Sequence, residues 1–223
     1  MSTTPTRPTT RIARIPLPAK LLYSAFVCLL VPNYLRAYGP TNFLYFCDVA
    51  LLLTGIAMWT ESALLVSACA VGILFPQALW IADFLSTMVG HPITGMTAYM
   101  FNPAIPAFSR FLSFFHFWLP LLLVWLLWRL GYDRRGLRVW IVVAWCLMAT
   151  SYAFLPPPPA PPADPGLPVN VNYVYGLSDD APQTWLPPWL YFSTLLLALP
   201  VLIFVPSHFA LQRLFRDRTA GRD

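Results

Sequence analysis

One ionisable residue, His116, lies inside the apolar run Arg110–Leu130, RFLSFFHFWLPLLLVWLLWRL. An imidazole titrates near neutrality, so it can take or give a proton where other side chains are fixed in one form. On a helix, Ser113, His116 and Pro120 share a face, because positions three and four apart are neighbours. Pro120 has no amide hydrogen, which deprives the carbonyl of residue 116 of its helical donor. Two acids accompany the histidine in apolar runs. Asp48 shares a helix face with Thr41 and Tyr45, and Asp83 stands near the end of its run. A histidine with one carboxylate can act as a general base, and a second polar group can fix its tautomer. His116 as base and Asp48 as its orienting or charge-balancing partner are therefore the catalytic candidates, with Tyr45, Asp83, Asn172 and Tyr173 as candidate substrate-binding residues. Each has a plainer reading. Asp48 can accept from Tyr45, Thr41 or backbone, His116 can bond a loop carbonyl, and Asp83 can be a solvated helix-end residue. Gln77 can bond the Gly72 carbonyl that Pro76 frees, and the same polar groups can also line an ion or solute pathway.

Other chemistries find little support. No His-x₃-His or Glu-x-x-His spacing places two metal ligands on one helix, and no metal or other cofactor is expected. There is no G-x-S-x-G and no glycine-rich phosphate loop, which leaves Ser113, Thr41 or Cys47 as an unorthodox nucleophile. Cys28, Cys47, Cys69 and Cys146 all fall in hydrophobic stretches without a CxxC pattern and read as small apolar residues.

The elements that must hold these residues are membrane spans. With 58% hydrophobic and only 10% charged residues, 223 residues carry more apolar surface than a soluble core of this size can hide. The net charge of +5 does not point to nucleic acid, since the basic residues gather at the ends of apolar runs. The expected fold is an all-α integral membrane protein, a bundle of six transmembrane helices. Residues 1–20 are expected to form a mobile basic tail and 210–223 a basic C-terminal tail. Between them the spans fall at about 21–38, 42–59, 63–85, 110–130, 137–154 and 189–209, each about the length a bilayer needs. The first run is long for a signal peptide and lacks a clear cleavage site, so it is expected to be retained. Pro76 and Pro200 are expected to kink their helices. Thr60-Glu61-Ser62 is short enough to make spans two and three an antiparallel hairpin. The segment Ser86–Ser109 reads as an ordered loop. Residues 155–187 begin with a polyproline-like stalk, and NVNYVYG then alternates as a short strand or extended strap would.

Six spans place twelve of the fourteen Lys and Arg residues on one side, leaving Arg36 and Arg110 on the other. The positive-inside rule then makes both termini cytoplasmic and both long loops extracytoplasmic. Asp48, Asp83 and His116 all belong to the outer half. Ionisable groups at that depth are costly unless paired, so they are expected to meet.

The segments GPTNFLYFCDVALLLT, GMTAYMFNP, FFHFWLP and NVNYVYGL resemble a family of bacterial integral membrane-associated proteins of unassigned activity. More distantly, the His116-x₃-Pro120 helix and the Asn172-Tyr173 strap resemble the YwaF-type proteins and the androgen-induced membrane hydrolases, which cleave fatty-acid esters with a threonine and a histidine. That resemblance matches His116 to the catalytic histidine and sets Tyr45 where the threonine is expected. The function expected is a lipid or acyl-compound pocket in the outer leaflet, with His-based ester hydrolysis or acyl transfer. The alternative is a membrane scaffold or assembly factor, with transport third. The lipid bilayer is the expected partner.

Overall fold

The computed structural model describes residues 15–161 and 167–215. The tail before Ile15, part of the proline-rich stalk and the end of the C-terminal tail lie outside the described residues. Within them the chain is helical: α1 Leu17–Tyr38, α2 Phe46–Thr60, α3 Ala63–Met88, α4 Ala107–Leu112, α5 Phe115–Leu130, α6 Gly136–Phe154, α7 Pro188–Leu199 and α8 Val205–Leu214. A π-helical turn at Pro200–Phe204 joins α7 to α8 in one rod. Five stretches are long and apolar enough to cross a membrane: α1, α3, α4 with α5, α6, and α7 through α8. The α2 helix is apolar but shorter. This all-helical architecture is compatible with a membrane protein, as are the large apolar side chains left on its outside, such as Leu22, Leu121, Phe154 and Leu202.

The central rod is α3, packed on α2, α5, α6 and α8. Its residues Val66–Ile73 are buried without interruption, so every face of those two turns touches protein. Small side chains make that possible. A Cβ added at Gly72 would run into the Trp140 indole of α6, and one at Gly136 would lie 2.8 Å from the backbone of Ser67 and Ala68. Close approach through small residues is how membrane helices gain packing energy when lipid is as apolar as their side chains. The helix runs on through Pro76 to Met88, three residues past its expected end.

One end of the bundle is tied by polar contacts between segments far apart in sequence. Lys20 and Ile15 reach Glu61 in the α2–α3 turn, at 2.9 and 3.2 Å. Ser67 Oγ accepts from the Asp133 amide, and Tyr132 meets His208 at 2.6 Å. Arg135, hydrogen-bonded to Asp133, holds that carboxyl below the usual carboxylate range. The functional candidates lie at the opposite end.

Candidate functional site

The Arg110–Leu130 run is not one helix. Between α4 and α5 the amides of His116 and Phe117 bond three residues back, to Ser113 and Phe114, rather than four. This tightened turn leaves the Ser113 carbonyl facing His116, which also brings Nδ1 to the same oxygen at 2.7 Å. A carbonyl only accepts, so Nδ1 carries the proton and Nε2 of the neutral ring presents a lone pair. Nε2 makes no hydrogen bond among the described residues, and the side chain is 9% exposed. The ring is held flat by stacking on Trp80 of α3, centroids 4.6 Å apart, and on Phe115.

Asp48 opens the first turn of α2 and is 3% exposed. Its Oδ2 accepts from Asn42 Nδ2 at 3.1 Å, while Oδ1 is buried without a partner. The orienting group of His116 is thus the Ser113 carbonyl, and Asp48 is oriented by Asn42; the two expected partners do not bond each other. Tyr34 of α1 meets Ser113 Oγ at 2.6 Å, and since that hydroxyl donates to the Ser109 carbonyl, Tyr34 is the donor. Tyr99, in the loop after α3, has its ring 6.5 Å from that of Trp80, and burial pushes its hydroxyl up from the ordinary tyrosine range.

Asp83 is neither solvated nor open. It is 0% exposed, and its carboxylate takes five hydrogen bonds from the following loop. Oδ1 accepts from the amides of Ile93, Thr94 and Gly95, and Oδ2 from the amide and hydroxyl of Thr97, at 2.6–3.0 Å. Two carboxylate oxygens offer about four lone-pair sites, so none remains for a ligand. Asp83 is the clamp that folds the Ser86–Ser109 loop back over the helices.

The strap does a related job and is not a strand. Val171–Tyr173 is a 3-10 turn, with Asn170, Asn172 and Tyr173 at φ of 50, 59 and 60°. Asparagine tolerates this left-handed region because its short side chain bonds locally, which the alternating polar pattern hides. Asn170 binds the backbone of its own turn through Tyr175 and Gly176. Asn172 accepts from the Phe46 amide at 3.0 Å and donates to the Leu44 carbonyl at 2.9 Å, capping the start of α2 from across the fold. Tyr45 reaches the Val169 carbonyl at 3.5 Å.

Tyr45, Cys47, Tyr99 and Tyr173 keep part of their surface accessible, whereas Asp48 does not. A cavity of about 30 Å³, large enough for a water, lies under the strap against α7, lined by Val174, Tyr175, Pro182, Gln183, Pro188 and Tyr191.

Sequence reasoning missed Asn42, Tyr34 and Tyr99. Asn42 was within reach, six residues before Asp48 and just after the Gly39-Pro40 turn; Tyr34 and Tyr99 carry no local signal. Gln77 is also unlike its expectation. It is 2% exposed and neither amide atom has a partner, so it does not serve the Gly72 carbonyl. Among the described residues no group of three His, Cys, Asp or Glu side chains could hold a metal ion. No family model matches the chain, and no curated protein or solved structure shows similarity to it.

Proposed function

We propose that this protein crosses a bacterial inner membrane six times, with both termini cytoplasmic, and binds a lipid or other acyl compound in the outer leaflet beside His116. Length supports counting α2 as a span. Fifteen helical residues cover about 22 Å, and the 3-10 turn Pro40–Leu44 adds about 10 Å, together near the ~30 Å hydrocarbon thickness. The separation of Lys and Arg residues supports the orientation.

One observation carries the binding site: an imidazole whose Nδ1 is fixed by a backbone carbonyl and whose Nε2 is left with nothing to accept from, stacked among aromatic rings. The aromatic surround suits an acyl chain, and the imidazole suits the ester or alcohol end of it. Hydrolysis at this site would use Nε2 to draw a proton from water, because no hydroxyl or thiol of the described residues is hydrogen-bonded to that nitrogen. Ser113, the nearest hydroxyl in sequence, is committed to Tyr34 and the Ser109 carbonyl.

The test is His116→Ala in the full chain reconstituted in lipid nanodiscs, with acyl-ester turnover and cross-linking of a photoactivatable acyl probe as readouts. Loss of both with an unchanged melting temperature is expected. Retention of both removes His116 from the function. A second reading, a scaffold whose polar groups only fix the outer loops, is favoured by the way Asp83, Asn170 and Asn172 are spent on loop backbone. Under it, His116→Ala lowers the melting temperature and leaves nothing else changed.

A further inference from the structure

The break between α4 and α5 is not written into its own segment. From Arg110 to Leu119 there is neither a proline nor a glycine, the residues that most often interrupt a helix, so what holds the break comes from elsewhere in the fold. It comes from α1. The Tyr34 hydroxyl donates to Ser113 Oγ at 2.6 Å, and Ser109 Oγ donates to Asn33 Oδ1 at 2.9 Å. Tyr34, Ser109 and Ser113 are at most 3% exposed, which closes the Tyr34–Ser113 bond off from water. Two consecutive residues of α1 thus hold two serines one helical turn apart at the end of α4.

That break decides which nitrogen of His116 carries the proton. In a continuous helix the Ser113 carbonyl would accept from the Phe117 amide, four residues on. Here the Phe117 amide turns to the Phe114 carbonyl at 3.0 Å, while the Ser113 oxygen accepts from the His116 amide at 3.2 Å and from Nδ1 at 2.7 Å. Its two lone pairs are then both in use. A continuous helix would put the Phe117 amide in competition with Nδ1 for that oxygen. Without this acceptor a proton on Nδ1 has nothing to bond, and the neutral ring is free to carry it on Nε2 instead.

We infer that Asn33 and Tyr34 are positioning residues for His116: through Ser109 and Ser113 they hold the break, and so fix the tautomer that presents Nε2 as an acceptor. This rests on the reading of His116 as the working group and adds that α1, a separate helix, sets its state.

The experiment is nitrogen NMR of the intact chain with isotope-labelled histidine, in detergent micelles at about pH 8, where an ordinary imidazole is neutral. His116 is assigned by the signals lost in His116→Gln. Protonated and bare ring nitrogens give well-separated signals, so the tautomer ratio is read directly. In wild type the proton is expected on Nδ1 in about nine molecules of ten or more. In Tyr34→Phe the ratio of Nδ1-protonated to Nε2-protonated ring is expected to fall about five-fold, and Asn33→Ala is expected to move it in the same direction. Tyr23→Phe is the comparison. It removes another buried bond of α1, from the Tyr23 hydroxyl to the Leu51 carbonyl at 2.7 Å, and is expected to lower the melting temperature with the ratio unchanged. A wild-type ring protonated on Nε2 overturns the inference, as does a folded Tyr34→Phe chain with the wild-type ratio or an equal shift in Tyr23→Phe. Should Tyr34→Phe fail to fold, Asn33→Ala and the wild-type spectrum decide. Acyl-ester turnover is a separate readout, and its absence from wild type removes the acyl reading while the tautomer result stands.

Discussion

Asp83→Asn is the substitution whose cost the structure lets one work out most fully. The carboxylate takes three backbone amides on Oδ1 and the amide and hydroxyl of Thr97 on Oδ2. Replacing one oxygen by an amino group turns an acceptor into a donor. If that group lands on the Thr97 side, two bonds are lost and donors face a donor; on the other side, three are lost. The remaining bonds forfeit the assistance of the negative charge. Hydrogen bonds to a charged group are worth about 1.5–3 kcal/mol each, so a loss of about 3–5 kcal/mol is expected from a near-isosteric change. In a chain of this length that corresponds to a drop of about 10 °C in melting temperature, if the whole bundle feels it. Should the loop alone open, the signature moves to limited proteolysis, with new cleavage between residues 89 and 97. Intrinsic fluorescence on heating and a protease time course, both in detergent, measure the two outcomes. A variant that melts within about 2 °C of wild type and resists protease equally refutes the clamp.

Two further substitutions probe the packing of α3 on α6 and the start of α2. Gly72→Ala puts a methyl group into the Trp140 ring and should destabilise by about 3 kcal/mol, the upper end of overpacking costs, because the obstacle is a fully buried indole; an unchanged melting temperature would mean that α3 and α6 do not approach there. Asn172→Gly removes both bonds to the start of α2 and should cost about 1–3 kcal/mol, while Asn172→Ala should cost about 1 kcal/mol more because its φ is 59°; equal melting temperatures for the two would argue against the left-handed turn.

The long helices were legible because hydrophobic runs and their punctuation are local. Ala63 and Phe154 fall where Ser62 and the following Leu-Pro place them, and the α2–α3 hairpin follows from three residues. The failures share a cause, which is backbone that departs from a regular period for reasons far away in sequence. The break at Ser113–Phe114 turns on three-residue bonding that no composition signal marks. The NVNYVYG alternation suits a strand, yet Asn172 is held in a left-handed turn by Leu44 and Phe46, more than a hundred residues earlier. Asp83 looked like a solvated helix end because α3 runs three residues beyond Leu85 and the amides that bury the carboxylate come from a loop with no pattern of its own.

Asp48 and Asp83 make the strongest case for where function lies. Both are aspartates at the end of the bundle that carries the long loops, one in the first turn of α2 and one in the last turns of α3, and both are buried. The chain spends five donors on Asp83 and one on Asp48. A fold that needed only to neutralise the cost of a buried acid had the means to do so, as the loop that wraps Asp83 shows. It leaves Asp48 Oδ1 without a donor all the same. A structural role accounts for Asp83 completely. For Asp48 it accounts for one oxygen only, and the other is the atom a ligand would have to satisfy.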